Sequence, residues 1–182
     1  NKNTIEYPGG VAVLRDETNT YDDTNGNLLS TTVSGTDNEK VVTATQHQNF
    51  GTWLWRPIEA MVTGVSDNGY TGSGLRRKTK FEYYSNGTGN LWKNKSYLEG
   101  ISESEWPTET MTYTTEGNLA TKQDANQNTT TYTTYDSTKT FPIRIDYPTT
   151  NGVTHFEEAT YNYRFGKPAT KKDENNNTTI YS

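Results

Sequence analysis

The chain contains no cysteine. That excludes a disulfide framework, a thiolate metal centre and a cysteine nucleophile. It has two histidines, His47 and His155, and neither has neighbours spaced for a catalytic triad or a zinc site. Long apolar runs are also missing. No stretch approaches the roughly 18 residues of a membrane-spanning helix, and the opening NKNTIEYPGG has no apolar core of a secretory signal. Charge of one sign is missing too: 17 Lys and Arg stand against 22 Asp and Glu, a formal net charge of −5. A basic footprint for nucleic acid is therefore absent. Leu, Ile, Val and Phe make up only 27 of the 182 residues, few enough to raise disorder as a question. Disorder also calls for a large net charge, which this chain lacks.

In their place are 34 Thr, 19 Asn, 13 Tyr and 4 Trp. Thr and the aromatics favour strands and supply buriable area, while Asn favours turns. Asn-Gly, whose residues suit the positive φ angles of a type I′ hairpin turn, occurs at Asn25-Gly26, Asn68-Gly69, Asn86-Gly87 and Asn151-Gly152. Between the turn signals, Val11–Arg15, Lys40–Thr45, Glu59–Val65, Lys78–Tyr84, Glu109–Thr115, Thr129–Asp136 and Ala159–Phe165 read as strands. In the last of these, alternation places Tyr161 and Tyr163 on one face. The best helical candidate is a short piece near Trp55–Met61, interrupted by Pro57. The fold class expected is all-β, built of tandem antiparallel β-hairpins. Residues 1–75 form a less regular β region, and residues 76–182 form repeated hairpins.

An internal repeat sharpens this. Gly117–Thr133 aligns without gaps on Gly166–Ser182 at an offset of 49 residues, with Gly117/Gly166, Asp124/Asp173, Asn126/Asn175 and Tyr132/Tyr181 among ten identities. Aromatic strand residues lead into a glycine turn, and a Thr/Lys strand returns to Asp-x-Asn-x-Asn. Asp124, Asn126, Asp173 and Asn175 are expected to form turns through their own backbone bonds. Calcium loops are the weaker reading, because Thr129 and Thr178 stand where such a loop needs glycine and Tyr135 where it needs glutamate. Tyr113, Tyr132, Tyr135, Tyr161, Tyr163 and Tyr181 are expected to pack on the sheet faces, with Gly117, Gly166 and Asp136 marking the repeat.

The Gly-Asn-Leu turn, the Asp-x-Asn-x-x-Thr segment and the Tyr132-x-x-Tyr135-Asp136 pattern together resemble the YD repeats of the Rhs family. The variant repeat Tyr135–Pro148 is similar to those in the B component of bacterial insecticidal toxin complexes. Trp53–Thr63 resembles a Trp-x-x-Gly-Arg-Pro segment of such proteins, with Trp55 where glycine is usual. Asn118 and Lys167 stand where the standard repeat has arginine. The resemblance implies a long β-sheet wound into a shell around a C-terminal toxic domain, in a secreted or bacterial cell-surface protein. The partners it implies are further repeats of the same polypeptide, the enclosed toxin domain and other toxin subunits. The sequence stops where the pattern calls for Tyr-Asp, so a fragment of a longer array is expected.

No catalytic, metal or cofactor site is legible. Glu157 and Glu158 are neighbours on a strand and point to opposite faces, so they cannot easily serve one substrate. Arg76-Arg77-Lys78 is too short for a nucleic-acid patch and reads as protection of an edge strand. Trp53 and Trp55 would share a strand face and could stack on a sugar ring, which makes a carbohydrate- or receptor-binding module the alternative to a non-catalytic structural segment.

Overall fold

The computed structural model describes residues 2–6, 12–35, 40–51, 54–65 and 76–181. It contains two compact units, Asn1–Glu82 with Asn94–Pro107, and Tyr83–Lys93 with Thr108–Ser182. The strands are β1 (Lys2–Glu6), β2 (Ala12–Tyr21), β3 (Leu28–Ser34), β4 (Lys40–Asn49), β5 (Trp55–Val65), β6 (Arg76–Tyr83), β7 (Leu91–Ser96), β8 (Thr108–Tyr113), β9 (Leu119–Gln123), β10 (Thr129–Tyr135), β11 (Pro142–Thr150), β12 (Val153–Asn162), β13 (Lys167–Asp173) and β14 (Thr178–Ile180). In the first unit β1 to β6 pair antiparallel, each with the next in sequence. In the second, β8 to β14 do the same. The fold is all-β. The described residues outside strands include one 3-10 turn, Glu103–Glu105.

Trp55–Met61 is strand, not helix, and lies within β5. Pro57 explains how it fits. It sits opposite His47, where the register of β4 and β5 shifts. Proline has no N–H to give to the ladder, so it is tolerated where the ladder is already broken. Pro142, Pro148 and Pro168 also sit at register shifts, of β10/β11, β11/β12 and β12/β13. The basic run Arg76-Arg77-Lys78 does not guard an edge. It lies in β6, paired along β5 and inside the strand order, where Lys78 meets Glu59 across the strands at 2.9 Å.

Few side chains are removed from water. Among the described residues the buried apolar ones are Trp106, Met111 and Ala159, and no large side chain is wholly buried. Trp106 belongs to the first unit. Its ring meets Tyr97 edge-on at 5.1 Å, and its Nε1–H donates to the Ile101 carbonyl at 3.1 Å. Cross-strand contacts therefore carry much of the cohesion. In the first unit Lys95 is bonded to Glu82 and lies 3.7 Å from Glu103, which also takes Lys80. In the second, Glu157 takes Lys171 at 2.8 Å, while Glu158 takes Arg144 at 2.9 Å and Lys172 at 3.4 Å. The two adjacent glutamates thus answer different cations. Pairs this exposed contribute only about 0.2–1 kcal/mol each.

Candidate functional site

Four strands carry Thr-Tyr at or one residue before their C-terminal end: Thr20-Tyr21, Thr112-Tyr113, Thr134-Tyr135 and Thr160-Tyr161. In each case the threonine and tyrosine straddle the same irregularity. Thr112 opposes Thr121 but Tyr113 opposes Leu119, so Ala120 is an extra residue on the return strand. Leu29, Ile143 and Ala169 are the extra residues at the other three. These are β-bulges, which leave one residue unpaired and increase the local twist. The inserted residue is apolar every time. Hydroxyls close the ladder beside three of the bulges, with Thr20 and Ser30 2.7 Å apart, Thr112 and Thr121 2.6 Å, and Thr160 and Thr170 2.7 Å. Such cross-strand pairs are worth roughly 0.2–1 kcal/mol each.

In the second unit the bulges are tied to one another. The Tyr135 hydroxyl donates to the Leu119 carbonyl at 2.8 Å, and Leu119 is the residue paired with Tyr113. The Tyr161 hydroxyl donates to the Pro142 carbonyl at 3.0 Å, and Pro142 is the residue paired with Tyr135. Each hairpin thus presents a carbonyl to the tyrosine of the next. Burial pushes both phenols up, and they stay protonated donors at neutral pH. Phe141 stacks on Tyr161 with ring centroids 4.5 Å apart.

Asp136 follows Tyr135 and organises the turn into β11. It is 4% exposed, the one buried charged residue among those described. Its Oδ1 accepts the N–H groups of Thr140 at 2.7 Å and Phe141 at 2.8 Å. Its Oδ2 accepts the hydroxyls of Thr138 and of Tyr163, the latter at 2.9 Å. Burial opposes the charge, but bonds from Thr138, Phe141, Thr140 and Tyr163 outweigh it and hold the carboxyl far below the usual carboxylate range. Tyr163 stands beyond the end of β12, in the turn, rather than on the strand beside Tyr161.

At the opposite end of these strands, the two Asp-x-Asn-x-Asn segments adopt the same turn. Asp124 Oδ1 accepts the N–H groups of Asn126 and Asn128, each at 2.9 Å. Asp173 does so from Asn175 at 2.9 Å and Asn177 at 2.8 Å. Asn126 and Asn175 contribute only their backbone here. The side-chain amides that close the turns belong to Asn128 and Asn177, at 3.0 and 2.9 Å from the second carboxylate oxygen. The Asn128 and Asn177 bonds lower both carboxyls. Gln127 and Asn176 take the left-handed backbone, at φ 67° and 65°.

The remaining predicted positions are scattered. Tyr113 and Tyr132 are half-buried strand residues. Tyr181 follows β14, 49% exposed, and its N–H donates to Ala169. Gly117 and Gly166 have φ 90° and 62°. Trp55 opens β5 opposite Asn49, 37% exposed, while Trp53 lies outside the described residues. A shallow cleft of ≈ 170 Å³ in the second unit is lined by Tyr84, Asn86, Thr88, Asn90, Thr112–Thr115 and Gly117, none of them charged. Among the described residues no three His, Cys, Asp or Glu gather as metal ligands would. The sequence marks Leu119 only as part of the Gly-Asn-Leu turn and Pro142 only as a proline near a strand end, and it does not mark Phe141 or the bulged residues as such. The repeated Thr-Tyr dipeptide is the signal that points to them.

No family model matches the chain, and no curated protein does. A solved crystal structure described as TcdB2-TccC3-Cdc42 is similar over 98% of this chain, at 13% identity and a TM-score of 0.44. The chain spans 12% of that protein's length. A likeness at this level assigns neither a family nor an activity.

Proposed function

We propose that the chain is a non-catalytic structural segment of a YD-repeat, toxin-associated protein, forming part of a β-sheet wall that encloses or carries a toxic polypeptide. One observation carries this reading: Tyr135 and Tyr161 each donate to a carbonyl of the preceding hairpin. A tie of that kind stabilises a series of hairpins and gives little to a single one. The partners on this reading are further repeats of the same polypeptide, a C-terminal toxin domain and other toxin subunits, in a secreted or cell-surface setting. The test is protease protection in the full-length polypeptide. The region that follows the repeats should resist added protease when joined to them and be digested when expressed alone. Equal digestion in both cases overturns the reading.

A second reading, a carbohydrate-binding module, is favoured by the uncharged cleft, whose lining of amides, hydroxyls and tyrosine suits a neutral, hydroxyl-rich ligand. A glycan array decides it. Binding that is lost in Asn90→Ala supports it, and an array without hits removes it.

A further inference from the structure

The described residues include three Asn-Gly turns, and they differ in what holds the reactive atoms. In the first, the Gly26 N–H donates to the Asp22 carbonyl at 2.7 Å, and the Asn25 Oδ1 accepts the Asn27 N–H at 2.9 Å. Both the nitrogen and the side-chain amide are engaged. In the second, the Asn86 Oδ1 accepts the Thr88 N–H at 3.2 Å and hydroxyl at 2.7 Å, while the Gly87 N–H has no partner. In the third, neither the Asn151 side chain nor the Gly152 N–H has a hydrogen-bond partner. Both residues are exposed, both have left-handed φ, 52° and 79°, and no atom stands within 4 Å of where a Gly152 Cβ would be.

We propose that Asn151 is the chain's foremost site of spontaneous backbone modification among these turns, converting to aspartate and isoaspartate. The Gly152 amide nitrogen gives its proton to hydroxide and attacks the Asn151 Cγ. The bond from Cγ to the side-chain nitrogen breaks, and that nitrogen takes a proton from water and leaves as ammonia, which restores the hydroxide. The product is a five-membered succinimide. Water then adds to one of its two carbonyls and opens the ring, giving aspartate or isoaspartate. Glycine at the second position leaves the approach to Cγ unobstructed, and an unbonded amide needs no hydrogen bond broken first.

The consequence is local and directional. Isoaspartate adds a methylene to the backbone of a two-residue turn whose flanks, Thr150 and Val153, are paired. Two-residue hairpin turns fix register through their dihedrals, so the end of the β11/β12 hairpin loosens, and either product adds a negative charge there. Asn25 is protected because its reaction must first release the Gly26 N–H, a factor of about fivefold for one ordinary hydrogen bond.

Incubation of the folded chain at 37 °C and mildly alkaline pH, followed by peptide mapping by mass spectrometry with isoaspartate detection, tests this. Asn151 should convert fastest, Asn86 more slowly and Asn25 slowest, at least about fivefold behind Asn151. In denaturant the three should converge. Gly152→Ala, which keeps the asparagine, should slow conversion at position 151 alone. Conversion of Asn25 as fast as Asn151 in the folded chain overturns the proposal, as does the same ranking in denaturant.

Discussion

Replacing Tyr135 by phenylalanine deletes one oxygen and leaves the ring, the strand and the bulge in place. The lost atom is the donor to the Leu119 carbonyl at 2.8 Å. A net hydrogen bond of this kind contributes about 0.5–1.5 kcal/mol. Tyr161→Phe removes the matching bond to Pro142 and should cost the same. Tyr132→Phe is the control, because that half-buried phenol donates no bond, and its effect should stay within about 0.5 kcal/mol. Pro142 faces Tyr135 across the bulge and also accepts from Tyr161. The double variant should therefore depart from the sum of the singles by about 0.5 kcal/mol or more. Equilibrium urea unfolding, followed by tryptophan fluorescence and circular dichroism, measures this. With a slope of about 2 kcal/mol per molar urea, each single change moves the midpoint by about 0.5 M. Equal midpoints for Tyr135→Phe, Tyr161→Phe and Tyr132→Phe would refute the tie between hairpins.

The other expectations are shorter. Met111, 8% exposed in β8, should lose about 2–3 kcal/mol on truncation to alanine in the same unfolding assay, whereas Val153, 55% exposed, should lose less than about 0.5. Gly117→Ala forces a side chain into φ +90° with no clash nearby, a purely conformational cost of about 1 kcal/mol, while Gly64→Ala in open space at ordinary φ should be neutral or mildly stabilising by thermal melting. Asp136, Asp124 and Asp173 all have folded pKa values below their unfolded ones. Their stabilisation is present above the unfolded value of about 4 and is lost as pH falls below it toward the folded values. An acid titration of the melting temperature should show that fall, and Asp136→Asn should be less stable at neutral pH with a shallower acid limb.

The sequence showed the hairpin class because its signals are local. Asn151-Gly152 joins two paired strands, and Asp124 and Asp173 make the turns that their own side chains dictate. Within β5 the sequence reads Glu59–Val65 as strand but offers Trp55–Met61 as a helix, and only the register with His47 shows how Pro57 fits a strand there. Strands β3, β7 and β11 carry a weak sequence signal for a related reason. Their alternation is broken by a bulge, by charge, or by two prolines. The tie from Tyr135 to Leu119 is a relation between hairpins, and nothing adjacent in the chain encodes it. The four Thr-Tyr ends are visible in the letters. The four to six unpaired residues that join the strands in each hairpin differ so much, from DDTNGN to DSTKTF, that the common bulge is hidden.

The account stands on those bulges setting the register, and the absence of cysteine makes them directly measurable. Thr160→Cys with Thr170→Cys places two thiols on directly opposed residues, within the separation a disulfide accepts. Thr160→Cys with Ala169→Cys places them in the register the strands would have if no residue were inserted beside Tyr161. Under mild oxidation the account predicts rapid, complete bridging of the first pair and little of the second. Faster bridging of the 160/169 pair would contradict it.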